Sequence, residues 1–187
     1  MNIRAIPYHE AGNSLRRAFG TLQERVAPTG MEPDLELHDP ALDARSFYVS
    51  AGEQVISYAA VVRKAISHGG QTFQLAGLSC VATDPAWQRQ GLGSRVVSAA
   101  TAYIETSGVD LGLFTCDPPL AAFYWQAGAW PVRADLVLVG SQHPAALSSR
   151  LLDKVVLLRL FSARAQAAAA AFSQTTINLD LPLGQFL

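Results

Sequence analysis

A strand, a glycine-containing loop and a helix follow one another between residues 72 and 106, and this stretch carries the chain's clearest chemical signal. Gly91 and Gly93 lack a Cβ atom, so their backbone amides can approach a ligand closely. The helix that begins there presents unpaired N–H groups and a partial positive charge. The stretch predicts a phosphate or pyrophosphate site, although an ordinary strand-to-helix turn can have the same pattern.

A second candidate for chemistry is the acidic segment, residues 28–43, in which prolines and a glycine predict a loop or a broken helix. Its carboxylates are Glu32, Asp34, Glu36, Asp39 and Asp43. Clustered carboxylates can concentrate a polycationic substrate and bind it through charge-assisted hydrogen bonds. The alternative interpretation is a solvated acidic surface loop without a ligand.

Composition limits the protein class. With 187 residues, of which 50% are hydrophobic, the chain can bury one substantial core, and a single domain over residues 1–187 is predicted. A net charge of −1 gives no general attraction to nucleic acid or to an anionic membrane, and no apolar run is long enough to span a bilayer. Cys80 and Cys116 lie outside any His/Cys cluster, so we expect no metal site. We expect both cysteines to be small core residues and the protein to reside in a reducing cytoplasm.

Hydrophobic periodicity and turn residues then place these candidates on secondary structure. Strands are predicted over residues 2–6, 47–50, 54–64, 72–83, 111–115, 130–139 and 155–161. Helices are predicted over residues 14–27, 94–106, 117–128, 144–152 and 163–172, the last being alanine-rich and open to a linker interpretation, and residues 175–187 form an extended tail.

Two motifs resemble a known family. Residues 88–93, Gln-Arg-Gln-Gly-Leu-Gly, are similar to the Q/R-x-x-G-x-G/A loop of the GNAT N-acetyltransferases, and residues 121–130 resemble that family's A-x-x-F-Y-x-x-x-G-F segment. The resemblance covers nearly the whole chain. It implies an α/β (α+β) fold with a central mixed, mostly antiparallel sheet flanked by helices, and acetyl-CoA-dependent N-acetyltransferase activity. Within the family, the length, the acidic segment and residues 81–87 resemble the aminoglycoside 2′-N-acetyltransferases.

The resemblance also implies roles for individual residues. Backbone groups of one strand would pair with the pantetheine arm of acetyl-CoA, an N–H near Val81 would stabilise an oxyanion, and amides of residues 90–94 would hold the pyrophosphate. The predicted cofactor-binding residues are Val81, Ala82, Thr83, Gln88, Arg89, Gln90, Gly91, Leu92, Gly93 and Ser94. Tyr124 would protonate the leaving thiolate, whereas the alternative is aromatic packing with Phe123, Trp125 and Trp130.

The base that deprotonates the amine is left open. The aminoglycoside enzymes carry a glutamate two residues before the matching valine, but this chain has Ser79 there. Ser79 could hold a relaying water, or a carboxylate of the acidic segment could act. The predicted substrate-binding residues are Glu32, Asp34, Glu36 and Ser79.

Three functions follow from these residues. The first is acetylation of an amino-sugar antibiotic, aminoglycoside or kasugamycin-like, which would confer resistance. The second is acetylation of another amine, such as a polyamine, an amino acid or a protein N-terminus, and the third is a non-catalytic acyl-CoA-binding module. The expected partner is a small cationic amine, with neither nucleic acid nor membrane, and a homodimer stays open.

Overall fold

The computed structural model describes all residues 1–187. The strands are β1 (Arg4–Pro7), β2 (Arg45–Ala51), β3 (Gln54–His68), β4 (Gln71–Thr83), β5 (Leu111–Cys116), β6 (Val137–Val139), β7 (Val155–Leu160) and β8 (Thr176–Asn178). The α-helices are α1 (Asn13–Val26), α2 (Leu92–Thr106), α3 (Ala121–Gly128) and α4 (Ala163–Ala167).

Six strands form the main sheet in the order β1-β2-β3-β4-β5-β7. The pairs β1·β2, β2·β3 and β5·β7 are antiparallel, whereas β4 and β5 run parallel with Leu75 opposite Leu111. Strands β6 and β8 form a separate parallel pair. The predicted fold class, a mixed and mostly antiparallel sheet flanked by helices, is confirmed.

The chain divides into two compact units, residues 1–63 with 78–103 and residues 64–77 with 104–187. In the first unit Phe19 of α1 is fully buried, and its ring lies 4.5 Å from that of Tyr58 and 5.2 Å from that of Tyr48. In the second unit the buried ring of Trp130 lies 4.9 Å from that of Phe114. Aromatic packing of this kind supplies much of the burial that stabilises each core.

Two predictions for the second unit are wrong. The strand over residues 130–139 is reduced to β6, because Pro131 cannot donate a backbone hydrogen bond and Arg133 closes a turn by pairing with Asp135 at 3.0 Å. The helix over residues 144–152 is replaced by turns. Its backbone bonds to the β6 region instead, since Ser149 N donates to Leu138 O at 2.9 Å.

The alanine-rich segment is helical, although not as one α-helix. It divides into α4 and a short 3₁₀ helix over Ala169–Phe172. The tighter second turn buries Phe172, whose ring packs 4.9 Å from that of His68 and 5.1 Å from that of Phe73. The helix predicted from residue 117 likewise begins as a 3₁₀ turn, Pro118–Leu120, and Asp117 pairs with Lys154 rather than capping it. The other predicted elements occur, with ends displaced by a few residues.

Candidate active site

The loop between β4 and α2 is fixed at its start by a buried carboxylate. Asp84 accepts a hydrogen bond from Ala86 N at 3.0 Å and so caps a 3₁₀ turn, Pro85–Trp87. Its other oxygen accepts from Gln54 Nε2 at 3.0 Å and forms an ion pair with Arg25 Nε at 2.7 Å. Asp84 N donates to Ile56 O at 2.9 Å. The loop is therefore anchored to both α1 and β3.

The anion loop, residues 88–94, has the geometry that phosphate binding requires. Gly91 has φ +76°, and a Cβ placed on it would meet no atom within 4 Å, so space is open beside its backbone. Arg89 is also left-handed, with φ +60°. The first hydrogen bond of α2 runs from Arg95 N to Gly91 O at 3.1 Å, which leaves the preceding N–H groups without intrahelical acceptors. Such groups bind anions.

The exposure of the anion loop agrees with this geometry. The exposed residues of the loop are Gln88, Arg89, Gln90, Gly91 and Ser94, whereas Leu92 is buried and Gly93 is partly buried. Gln88 Nε2 donates to Thr83 O at 3.1 Å and so links the loop to the end of β4. The backbone, rather than a cluster of cationic side chains, is the feature offered to a ligand here.

Strand β4 is distorted next to the residues predicted to bind the pantetheine arm. Cys80 has φ +51°, a left-handed conformation that non-glycine residues rarely adopt inside a strand and that is typical of a bulge. Gln23 Nε2 of α1 donates to Cys80 O at 2.9 Å and holds the distorted peptide. Backbone strain of this kind clusters at functional sites. The sequence pattern of alternating residues gave no sign of it.

Neither thiol is activated. Burial raises the pKa of Cys80, although a hydrogen bond from Ser79 Oγ at 3.6 Å acts in the opposite direction. Burial and the nearby carboxylate of Asp117 raise the pKa of Cys116 to about 11. Both thiols are therefore protonated near neutral pH, and a protonated thiol is a poor nucleophile. This result agrees with the interpretation of both cysteines as core residues.

The acidic segment is an ordered loop packed on α1. A Cβ at Gly20 would clash with the backbone of Asp34, so the missing side chain allows the loop to lie directly against the helix. The Tyr8 hydroxyl donates to Leu35 O at 2.7 Å and accepts from Leu37 N at 3.1 Å. Asp34 accepts from Glu36 N at 2.7 Å. The segment is held in place by these contacts.

Part of this segment lines a cavity, which we call the acidic cavity, of about 180 Å³. Its lining residues are Tyr8, His9, Arg16, Glu36, His38, Asp39, Pro40, Asp43 and Ala44. Of the predicted substrate-binding residues only Glu36 lines it. Glu32 is 93% exposed and lies 3.8 Å from Arg17, Asp34 is exposed, and Ser79 contacts Cys80.

A buried polar chain behind the acidic cavity was not predicted. His38 is only 4% exposed, and its Nε2 lies 2.8 Å from the Tyr58 hydroxyl, which lies 3.0 Å from Ser46 Oγ. Burial lowers the pKa of His38 to about 4, partly opposed by Asp34, so the imidazole is neutral near pH 7. The signal in the sequence was a single histidine in an acidic loop, which does not by itself indicate burial.

Tyr124 lies in α3 of the second unit. It is 6% exposed, and its ring packs 5.1 Å from that of Phe114 and 5.0 Å from that of Phe123. Its hydroxyl makes no hydrogen bond to another protein group and is not sealed from solvent. Burial raises the pKa of Tyr124, so the hydroxyl keeps its proton at neutral pH. Trp125, in contrast, is 59% exposed.

The family to which this chain is similar agrees with this architecture. A family model described as the acetyltransferase (GNAT) domain matches residues 7–130. The chain therefore belongs to the GNAT acetyltransferase family. Its class is that of an acyltransferase with acetyl-CoA as the cosubstrate, and the open, left-handed Gly91 at the start of α2 fits the pyrophosphate of that molecule.

Solved structures share the fold at low sequence identity. The GNAT family N-acetyltransferase YhbS from Escherichia coli, in complex with CoA, is 17% identical with a TM-score of 0.62, and the match covers 95% of this chain and 88% of that one. An acyl-CoA N-acyltransferase from Pseudomonas aeruginosa is 15% identical with a TM-score of 0.58, covering 84% and 98%.

A probable N-acyltransferase from Enterococcus faecalis is 17% identical with a TM-score of 0.56, covering 73% of this chain but 34% of that one. This chain therefore spans about a third of the Enterococcus protein. No curated protein sequence matches the chain. Identities in this range establish a common fold and leave the acceptor unassigned.

No helix is both long enough and apolar enough to cross a bilayer. No group of three or more His, Cys, Asp or Glu side chains is arranged to hold a metal ion.

The anion loop yields the first prediction. Gly91→Asp should raise the Kd for acetyl-CoA at least tenfold, on the order of 1.4 kcal/mol, because the new carboxylate would repel the pyrophosphate. Isothermal titration calorimetry measures the effect. Gly52→Asp is the matched control, since Gly52 is exposed, has φ +61° and has no atom within 4 Å of a Cβ position. Equal, wild-type affinity in both variants would contradict the assignment of the loop.

Proposed function

We propose that the protein transfers the acetyl group of acetyl-CoA to an amine of a small cationic molecule bound at the acidic cavity. The observation that carries this proposal is the set of three carboxylates, Glu36, Asp39 and Asp43, around one cavity. Glu36 and Asp43 are exposed, so each pair with an ammonium group contributes up to about 1 kcal/mol, and a polycation gains from several such pairs together.

The one guanidinium of the acidic cavity is engaged elsewhere. Arg16 Nε donates to Ala11 O at 2.9 Å, and its Nη2 donates to His9 O at 3.1 Å. The guanidinium carbon also lies 5.0 Å from the centre of the Tyr8 ring. Arg16 thus binds backbone carbonyls and an aromatic face, and its positive charge offsets part of the negative charge of the three carboxylates that line the cavity.

Two classes of amine suit this site. An amino-sugar antibiotic, aminoglycoside or kasugamycin-like, presents several ammonium groups to several carboxylates, and its acetylation would confer resistance. The volume of about 180 Å³ is below the roughly 300 to 1,000 Å³ of sites that enclose drug-sized ligands. The acidic cavity would therefore hold one amino-sugar ring, or a smaller amine such as a polyamine or an amino acid, which is the second candidate.

The cosubstrate residues complete the proposed reaction. Amides of residues 90–94 would hold the pyrophosphate, backbone groups of Val81, Ala82 and Thr83 would pair with the pantetheine arm, and Gln88 and Arg89 would flank them. Acetyl-CoA supplies the acetyl group. Tyr124 would give its proton to the leaving thiolate, a role supported by its unpaired hydroxyl, whereas the raised pKa makes this phenol a weaker acid than a solvated one. Two free cysteines suit a reducing cytoplasm, where we place the protein.

Acetyl-CoA turnover against a panel of amines tests the proposal. Kanamycin, kasugamycin, spermidine, an amino acid amide and a peptide with a free N-terminus represent the candidate classes, and thiol release reports transfer. Transfer to kanamycin, kasugamycin or spermidine supports the proposal. The peptide carries no charged side chain next to its N-terminal amine. Transfer to this peptide alone would contradict the proposal that the acceptor is a small cationic amine. Tight acetyl-CoA binding without transfer to any amine would indicate a non-catalytic module.

The carboxylates of the acidic cavity give the second prediction. Glu36→Gln combined with Asp43→Asn should raise KM for the cationic amine on the order of tenfold, weaken its dependence on ionic strength and leave KM for acetyl-CoA unchanged. Asp43 has φ +42°, which asparagine also tolerates. Asp153→Asn is the control because Asp153 is exposed and left-handed, with φ +50°. An unchanged KM for the amine at low salt would show that the acidic segment is a solvated surface loop that does not bind the amine.

Tyr124 gives the third prediction. Tyr124→Phe keeps the ring packing and removes the hydroxyl, so kcat should fall on the order of 10²-fold while the Kd for acetyl-CoA stays constant. Single-turnover kinetics would isolate the chemical step from product release. A chemical step at the wild-type rate would leave Tyr124 a purely structural residue.

A further inference from the structure

We infer that Nδ1 of His38 is the base that takes the proton from the acceptor amine, with Tyr58 as the positioning residue that holds the imidazole. This inference rests on the proposed function, because it places the amine at the acidic cavity. Ser79 has no carboxylate and cannot act as the base, so His38 is a candidate for that role.

The His38 ring is oriented by a hydrogen bond within the core. His38 lines the acidic cavity, and its Nε2 lies 2.8 Å from the Tyr58 hydroxyl. Nδ1 has no hydrogen-bond partner in the protein and is not sealed from solvent. His38 is thus a nearly buried residue that has one ring nitrogen paired in the core and the other free at a cavity.

The two distances of the hydrogen-bond chain fit the tautomer that a base at Nδ1 requires and also the reverse one, in which Ser46 donates to Tyr58 and Tyr58 donates to Nε2, and the ¹⁵N measurement below distinguishes them. When Nε2–H donates to the Tyr58 oxygen and Tyr58 O–H donates to Ser46 Oγ, 3.0 Å away, the Tyr58 hydroxyl both accepts and donates. Nδ1 then carries a lone pair, as a base requires. Burial also raises the pKa of Tyr58, so its hydroxyl stays protonated and available as the donor to Ser46.

The carboxylates around His38 would bind the cationic amine, whereas His38 itself would accept the proton. Glu36, Asp39 and Asp43 share its cavity with Arg16 and His9. Asp34 interacts with the imidazole electrostatically, and the Tyr8 ring packs edge-on at 4.9 Å. A carboxylate beside an ammonium raises the ammonium's pKa and so opposes deprotonation. A neutral imidazole has no such effect on the ammonium, so His38 can receive the proton without stabilising the charged form of the amine.

The polar chain also lies near the distorted part of β4. Both Tyr58 and Tyr8 are close enough to Cys80 to interact with it electrostatically. Cys80 directly precedes Val81, the first residue predicted to pair with the pantetheine arm. The polar chain behind the acidic cavity and the strand end that precedes Val81 are therefore neighbours within the first unit.

The proton balance of the step is complete. The ammonium first loses one proton to water, and the lone pair of the resulting neutral amine forms the bond to the acyl carbon. The carbon–sulfur bond breaks, and the second proton on nitrogen goes to His38 Nδ1. The departing thiolate takes a proton from Tyr124. The acidity of an N–H bond rises as its nitrogen forms the new bond, so a weak base suffices. His38, with a pKa of about 4, is neutral and competent at all pH values above that value.

Replacement of His38 and addition of free imidazole test the inference. His38→Ala should lower kcat on the order of 10²-fold, leave the Kd for acetyl-CoA unchanged and regain activity when imidazole is added. His38→Gln fills more of the space that the imidazole ring occupies. Its kcat should fall by the same factor, and added imidazole should not restore it. The assay uses kanamycin or spermidine, whichever releases thiol faster from the wild-type enzyme. His143→Ala is the control, because His143 is exposed.

A second measurement does not depend on turnover. In the ¹⁵N spectrum of histidine-labelled protein, the His38 Nδ1 resonance should have the shift of an unprotonated nitrogen and should move when spermidine or kanamycin is added. Tyr58→Phe should weaken this tautomer preference and lower kcat by a smaller factor than His38→Ala.

The outcomes are distinct from those for the proposed function. Wild-type kcat in both His38 variants, loss of activity that imidazole does not restore in His38→Ala, or a protonated Nδ1 in the wild type would overturn the inference. A failed amine panel, or an unchanged KM in the carboxylate variants, would instead overturn the acidic cavity as the acceptor site. If His38→Ala does not bind acetyl-CoA, the ¹⁵N measurement on the wild type decides the question.

Discussion

The buried carboxylate of Asp84 is the interaction on which the cosubstrate site depends. It joins the end of β4 to α1 through Arg25 and to β3 through Gln54, and it caps the turn that leads into the anion loop. The Arg25 side chain is 32% exposed, so solvent screens the ion pair and the hydrogen bonds of Asp84 supply most of the anchorage. The loop can therefore expose unpaired amides at the start of α2 while its entry stays rigid, which is the condition for binding an anion without reorganisation.

A second constraint shapes the acceptor side. The acidic segment has few apolar residues, and what holds it are specific contacts: the close approach at Gly20 and the Tyr8 hydroxyl shared between Leu35 and Leu37. These contacts bring carboxylates and a neutral, buried His38 to one cavity. The proposed acceptor site thereby has carboxylates and a neutral imidazole on neighbouring residues of one loop.

Local patterns predicted the fold class, the strand–loop–helix unit and most elements of the first unit, because alternation and helical periodicity are set by neighbouring residues. Tertiary contacts decided the rest. The Cys80 distortion is held by Gln23, 57 residues away in the chain, and the polar chain joins His38 to Tyr58 across 20 residues. Around residues 130–152, Pro131 and the Arg133–Asp135 turn shortened the predicted strand, and hydrogen bonds to β6 replaced the predicted helix. The roles of Tyr124 and of the substrate-binding residues stay predictions.

The central claim is that the amides at the start of α2 bind the pyrophosphate of acetyl-CoA. A titration of the ¹⁵N-labelled protein with acetyl-CoA, followed by backbone amide NMR shifts, tests this claim most directly. The account predicts that the largest shifts fall on the amides of residues 90–94, with smaller shifts over residues 81–83. Saturable binding that leaves the amides of residues 90–94 unshifted would contradict it.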